Sequence, residues 1–562
     1  MQILINHLGY DSRGSKRFVV KTAAKTGAFS LINARGEQAF AGTLTQVGAV
    51  DRWQDWRFST GDFSEFMQPG QYRLVVRLEG ETGESAAFEI RRHLLAEQCV
   101  SDMLCYFKSQ RCSGKYDQTD RAIPFVGTRT DRVDAHGGWY DASGDVSKYL
   151  SHLSYANFMN PQQIPMVVWN LLQSGDFAAQ SDSLRLRSLV ERMREEALFG
   201  TDFLARMLDP AGYFYMTVFD KWTKDPAQRE ICAYATQKGV KSDDYQAAYR
   251  QGGGVAIAAL ARASALGAVG DYAPETYLKA AETGFRHLEA RNRDYLNDGK
   301  ENIIDDYCAL LAAAELFSAT GNQAYLARAR QRKDALLSRL AEDQAYSGWW
   351  RADDGARPYF HAAEAGLPVV ALLRYREVEP DAQAQAAVLA AARRSLNFEL
   401  AMTNEVANPF GYARQYVQDL GGGKRGAFFF PHHNESGYWW QGENARLGSL
   451  AAAALMAAPL FDAEFGARLN RYATDQVNWI LGLNPLDMCM LQGRGRNNPA
   501  DYLDAFPNAP GGVCNGITAG CDDEHDLAFL PAQYANDMAQ NWRWSEQWIP
   551  HAAWLLLALA AS

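Results

Sequence analysis

Up to about residue 92 the apolar positions come in short runs, KRFVVKTA, AFSLINAR, DWRFSTGDF and GQYRLVVRLEG, separated by turn residues such as Arg35-Gly36-Glu37 and Pro69-Gly70. Runs of this kind, rich in β-branched and aromatic residues and broken by glycine and proline, are strand signals. About seven of them in so short a stretch predict a small β-sandwich, over residues 1–92.

After Arg92 the period changes to that of a helix and stays there. Segments such as HLLAEQCVSDMLCYFKSQ, EEALFGTDFLARML, VAIAALARASAL, YCALLAAAELFSAT, ENARLGSLAAAALMAA and SEQWIPHAAWLLLAL carry apolar residues at helical spacing. About a dozen helices are predicted over residues 93–562, with no strict repeat of the kind a solenoid shows. Many are apolar over more than one face, which predicts helices packed on both sides. A dozen such helices can close into a double ring whose ends form a bowl. Between them run long loops carrying aromatics beside polar groups, GGWYDASGD, YSGWWRADDGARPYF, FFFPHHNESGYWWQGEN and QNWRWSE. Long loops in a compact domain are usually functional. Flat aromatic faces stack on the C–H faces of sugars while carboxylates, amides and indole N–H groups serve the hydroxyls. A single ring can equally close a gap between helices.

Composition narrows the partners. The 562 residues exceed one ordinary domain, and 47% apolar content is ample for a large core. A net charge of -10 without a run of Lys or Arg excludes nucleic acid and an anionic membrane surface as expected partners. No stretch is long and apolar enough to span a bilayer. The N-terminus MQILINHLGYDSRGSKRFVV lacks a basic leader, apolar stretch and cleavage site, so a cytoplasmic location is expected. The eight cysteines are sparse and irregularly spaced, and read mostly as reduced, buried small hydrophobes.

Four segments carry a resemblance to a known family. The opening ILINHLGYDSRGSKRFVV resembles the start of the immunoglobulin-like module that precedes many catalytic domains of glycoside hydrolase family 9. GGWYDASGDVSKY is similar to that family's GGW-x-DAGD-x-x-KY signature, VNWILGLNP to its helix ending, and SEQWIPHAAWL to the segment that holds its catalytic acid. The resemblance implies an (α/α)6 barrel behind an immunoglobulin-like β-sandwich, inversion at the anomeric carbon and β-1,4-linked substrates.

An inverting glycosidase needs one carboxylate to deprotonate a water and a protonated carboxyl on the other face of the sugar to release the leaving oxygen. Asp141 and Asp145 share one turn and can hold a single water between them, with Lys148 and turn N–H groups expected to keep at least one ionised. Aligned on the KY pair, Asp145 falls on the family's base position; aligned on GGW, Asp141 falls on its water-holding partner. DASGD is one residue longer than DAGD, so the division of roles stays open. Asp141 as a turn cap and Asp145 as a helix N-cap are the plain structural alternatives.

Glu546 is the expected acid, because burial among Trp542, Trp544 and Trp548 raises a carboxyl pKa toward the useful range. Its plain alternative is a charge at a helix N-terminus, and Ser545 and His551 depart from the asparagines of the family pattern. Glu443 is expected to bind substrate, as are Trp139, Tyr140, Trp349, Trp350, His432, His433, Trp439, Trp440 and Trp542. Asp305 and Asp306 are expected to start a helix. Family members often carry zinc near the first catalytic loop; Cys112 and His136 are present, but the Cys-His pair between them is missing, so no metal and no cofactor are expected. Three function classes follow: an exo-acting glycosidase on short β-1,4 oligosaccharides, an endoglucanase on cellulose, and a non-catalytic carbohydrate-binding protein. Three retained carboxylates count against the last. Expected preference goes to an exo-β-glucosaminidase, with Glu443, Asp353, Asp354 or the Asp141/Asp145 pair meeting the amino group, and a β-glucosidase second. The oligomeric state stays open.

Overall fold

The computed structural model describes residues 1–24, 26–437, 441–500 and 508–562. The N-terminal part is a two-sheet sandwich. One sheet runs Gln2–Leu4, Arg17–Lys21, Arg57–Asp62, Thr45–Ala49; the other runs Tyr10–Asp11, Phe88–Arg91, Gly70–Leu78, Ala28–Asn33, Gln38–Thr43, with Glu81–Glu84 hairpinned onto Gly70–Leu78. Antiparallel pairing at Val19↔Thr60 and Phe29↔Val76 turns alternate side chains inward. Phe18, Phe29, Leu31, Leu74, Val76 and Ile90 make the filling, with the Phe18 and Phe29 rings edge to face at 5.0 Å.

The rest is a barrel of helices. Among the described residues, helices 164–180, 253–265, 303–320, 367–378, 444–457 and 549–560 touch one another in a closed circuit, the last packing back on the first. These six form the inner ring. Helices 94–110, 190–206, 274–291, 323–338, 382–404 and 463–480 lie outside it. This is the (α/α)6 barrel, and the two rings explain the two kinds of pattern in the sequence. Every residue of the inner helix Ile549–Ala560 is buried, which is why IPHAAWLLLALA is apolar all round. The outer helix Ala463–Ile480 buries one stripe, from Phe465 through Leu469, Tyr472 and Ala473 to Ile480.

The VNWILGLNP segment docks the sandwich. Asp475, just ahead of it, accepts from Arg17 at 2.7 Å, and Asn478 accepts from the Asn6 amide at 2.8 Å. Trp53 of the sandwich is fully buried among Phe428, Phe410 and Trp479. Asp305 closes the N-terminus of helix Ile303–Thr320 in a reciprocal pair of bonds with Asn302, the capping use expected of it.

Candidate active site

The stretch His136–Leu150 enters the barrel end through a glycine pair. Gly138 has φ of +72°, and a Cβ there would lie 2.8 Å from the Phe203 ring, so only glycine lets the chain pass. Trp139 is then the anchor of the turn. Its fully buried indole donates to Glu196 at 2.8 Å, and the expectation that it meets substrate is corrected. Tyr140 also turns away, its hydroxyl accepting from the Ser113 N–H at 3.1 Å. Lys148 does not face the aspartates. Its buried ammonium bonds Asp120 at 2.7 Å and the carbonyls of Ala135 and Gly137, so it fastens the rear of the turn.

Both aspartates are buried at the front. Asp145 accepts three donors: the Ser147 N–H at 2.8 Å, the Tyr149 hydroxyl at 2.7 Å and the Trp222 indole at 3.0 Å. Three donors and no acceptor suit a carboxylate anion. Asp141 accepts from the Trp548 indole at 3.0 Å and from the Gln163 amide through one oxygen, while its other oxygen lies 3.4 Å from Nδ1 of His152. Burial lifts its pKa to about 6, with the Asp145 charge adding and His152 and Trp548 opposing. Gln163 is the residue before the inner helix Ile164–Gln180, so the barrel itself orients this carboxylate.

Trp222 reaches Asp145 from a hairpin whose backbone enters the left-handed region at Lys221, Trp222 and Lys224, with φ of 60°, 58° and 58°. Such conformations are uncommon outside glycine and need support. Asp220 supplies it, accepting the N–H groups of Trp222 and Lys224 at 3.0 and 2.7 Å and the Ser147 hydroxyl at 3.0 Å.

Glu546 stands three residues ahead of the inner helix Ile549–Ala560 and accepts from the Gly144 N–H, at the tip of the aspartate turn, at 3.2 Å. Its carboxyl pKa is pushed well up, first by burial and then by the charges of Asp141 and Asp145; Gly144 and Lys224 oppose this. Asp141, Asp145 and Glu546 all line one pocket of about 640 Å3, whose walls among the described residues include His152, Trp222, Gln441, Trp542, Arg543 and Trp548.

Several expected contacts lie elsewhere. Glu443 is buried in the barrel, held by Arg446, the Gln415 amide at 3.0 Å and the Phe430 N–H at 2.7 Å. Its negative charge is already spent on a guanidinium, so the substrate-binding expectation is corrected. Trp349 and Trp350 belong to strand Ser347–Trp350 and are buried, Trp350 donating to Ser395 at 2.8 Å and Trp349 packing on Tyr416. Asp353 and Asp354 share an exposed loop next to that strand. His432 and His433 are tied to neighbouring loops, the His432 N–H to Glu524 and the His433 carbonyl to Leu420, and neither lines the pocket. Trp439 and Trp440 lie outside the described residues. Trp542 does line it, its indole donating to Ala539 O at 3.0 Å. Missed from the sequence were Trp222, His152, Gln163 and Tyr149. Tyr149 belongs to the KY pair and had a signal; His152 follows that pair closely but without a motif of its own, and Trp222 and Gln163 come from remote segments with no signal.

The cysteine region does not fit a metal. Cys112 lies 3.6 Å from Asp120, whose charge is already matched by Arg229 and Lys148, and a further cation would be repelled there. His136 bonds Asp134 at 2.6 Å. Among the described residues there is no group of three or more His, Cys, Asp or Glu able to hold a metal ion.

The model of the family described as glycosyl hydrolase family 9 matches residues 97–511, and that of the cellulase N-terminal Ig-like domain matches residues 1–81. The chain belongs to glycosyl hydrolase family 9. It is accordingly an O-glycosyl hydrolase of the inverting kind, acting on an oligosaccharide or polysaccharide. Among solved structures, a metagenome-derived family 9 endoglucanase superposes with a TM-score of 0.69 at 19% identity, covering 100% of this chain and 98% of that one. A family 9 protein from Bacteroides ovatus gives 0.66 at 19% identity, covering 100% and 98%. Endoglucanase CelQ from Clostridium thermocellum, complexed with cellobiose and cellotriose, gives 0.52 at 17%, covering 83% and 70%. No curated protein matches the chain.

Proposed function

We propose that this family 9 enzyme removes one sugar at a time from the non-reducing end of short β-1,4-linked oligosaccharides, with Glu546 as general acid, Asp145 as general base and Asp141 as its partner in holding the attacking water. One observation carries the assignment of roles: three carboxyl groups line one pocket in two different environments. Asp145 is surrounded by donors, whereas burial and like charge push the pKa of the Glu546 carboxyl well up. Acid and base chemistry in one site needs such a split. A pocket of about 640 Å3 is in the range that takes a small ligand.

The preferred terminal sugar is glucosamine. With Glu443 locked to Arg446, the anionic partner for an ammonium is the Asp141/Asp145 pair itself. The Asp145 charge pushes up the pKa of Asp141, the sign of a negative field that a bound cation relieves and a neutral glucosyl unit does not. A cello-oligosaccharide is the second reading, favoured by the likeness to CelQ, whose structure holds cellobiose and cellotriose. The comparison is kcat/KM for fully deacetylated chitobiose against cellobiose at about pH 6, where the amine is mostly protonated. The expected outcome is a preference of about 10-fold or more for the amino sugar, the size of one charge-assisted contact. A higher value for cellobiose would replace this reading with that of a cellodextrin glucosidase. Release of internal fragments from a longer chain before the terminal sugar would replace exo action with endo.

A further inference from the structure

Ser143 is the residue by which the turn DASGD exceeds the family spacing, and it lies where the two catalytic segments meet. Ala142 and Asp145 pair across a two-residue tip of Ser143 and Gly144, with N to O distances of 3.3 and 3.2 Å. From that tip the Ser143 N–H donates to the Gln547 carbonyl at 2.8 Å, and the Ser143 hydroxyl accepts the Gln547 N–H at 3.0 Å. The side chain of Gln547 is buried and committed to Ala509 on both sides, at 2.8 Å each way. On one flank of these bonds Gly144 holds the Glu546 carboxyl; on the other, Ala142 bridges Trp548, whose indole holds Asp141.

We propose that Ser143 is a positioning residue that locks the segment of the general acid to the turn of the general base. The inference rests on the reading of Glu546 as the acid. Its physical basis is the Gln547 N–H, a buried donor adjacent to Glu546 whose partner is the Ser143 hydroxyl. Remove the hydroxyl and that donor has to find another acceptor, which a buried backbone group does by moving. Any such shift carries Glu546 with it, away from both the leaving oxygen and the aspartates.

The test compares Ser143→Ala and Ser143→Thr in the full chain on two substrates with the same terminal sugar. One is the preferred oligosaccharide; the other is its 2,4-dinitrophenyl β-glycoside, whose leaving group needs no proton. For Ser143→Ala the expected result is a kcat about 10- to 100-fold lower on the oligosaccharide with little change in KM, as misplacement of a reacting group costs. The activated glycoside should lose less than about threefold, since Asp145 keeps its donors Ser147, Tyr149 and Trp222. The alkaline limb of the pH profile should move to lower pH, because an acid drawn away from Asp141 and Asp145 is less repelled. Ser143→Thr keeps the hydroxyl and should recover most of the rate; Ser143→Cys, with its weak acceptor, should fall between and carries the test if the alanine variant does not fold. Equal losses on both substrates with an unmoved limb would overturn the proposal, as would no loss at all. Glu546→Gln run alongside separates the two readings. Equal loss on both substrates there overturns the acid assignment and the clamp with it; a leaving-group split at Glu546 but none at Ser143 overturns the clamp alone.

Discussion

Glu546→Gln is expected to lower kcat on an oligosaccharide by about 100- to 10,000-fold, the range for losing a general acid, with KM changed only slightly. Glutamine keeps the shape of the side chain and its bond from the Gly144 N–H, so binding survives while the proton does not. The pH profile sharpens the expectation. The rate should rise through pH about 6 as Asp141 ionises and fall at higher pH as Glu546, whose pKa lies well above the usual carboxyl value, gives up its proton. In the variant the alkaline limb should vanish while the limb near pH 6 remains. Steady-state kinetics from about pH 4 to 9, bracketing the ordinary carboxyl and imidazole ranges, would show this. A variant keeping a third of the wild-type rate would remove Glu546 from the chemistry.

Asp145→Asn should show the complementary pattern. The loss is again about 100- to 10,000-fold, but it should appear equally on activated aryl glycosides, because a water must be deprotonated whatever the leaving group. The amide also brings its own N–H donors to a place where Ser147, Tyr149 and Trp222 already donate, so a donor would face a donor and the Trp222 indole would be displaced. A rate loss confined to oligosaccharides would contradict the assignment of the base. Asp141→Asn should instead act on the limb near pH 6, as an apparent value belonging to the pair.

Both assignments begin in residues that a reader of the chain can find, and the reasons are physical. Period alone separated the sandwich from the barrel, because a half-buried strand and a ring helix bury residues at different spacings. Many of the helices read as apolar over more than one face, the pattern of elements with neighbours on both sides, but which of them form the inner ring comes from the fold. Asp141, Asp145 and Glu546 were legible through their motifs. The aromatic and charged residues around them were not. Glu443 sits in a loop as aromatic as that of Glu546, and only the fold reveals Arg446 one helical turn on, bonded to the same carboxylate. Trp349 and Trp350 have the composition of a sugar platform, yet a two-stranded hairpin packs them inward. Trp222 and Gln163 escaped notice because nothing local to KWTK or PQQIP marks them; each reaches an aspartate only through chain reversal, from 77 and 22 residues away. Lys148 looked like a partner for the aspartates by sequence distance, but strand pairing at Lys148↔Val218 sends its side chain to Asp120. Sequence spacing gives proximity along the chain, and the direction of a side chain comes from its pairing.

In the proposed mechanism the Asp141/Asp145 pair delivers a water to one face of the sugar while Glu546 protonates the leaving oxygen. Its most direct measurement is the anomeric configuration of the first-formed product, followed by proton NMR from the moment a β-linked oligosaccharide is mixed with enzyme. The α-anomer of the released sugar is expected to appear first and then to mutarotate toward equilibrium. A β-anomer appearing first would mean that a carboxylate attacks carbon to form a covalent intermediate, and the reading of the aspartate pair as water-holding would be wrong.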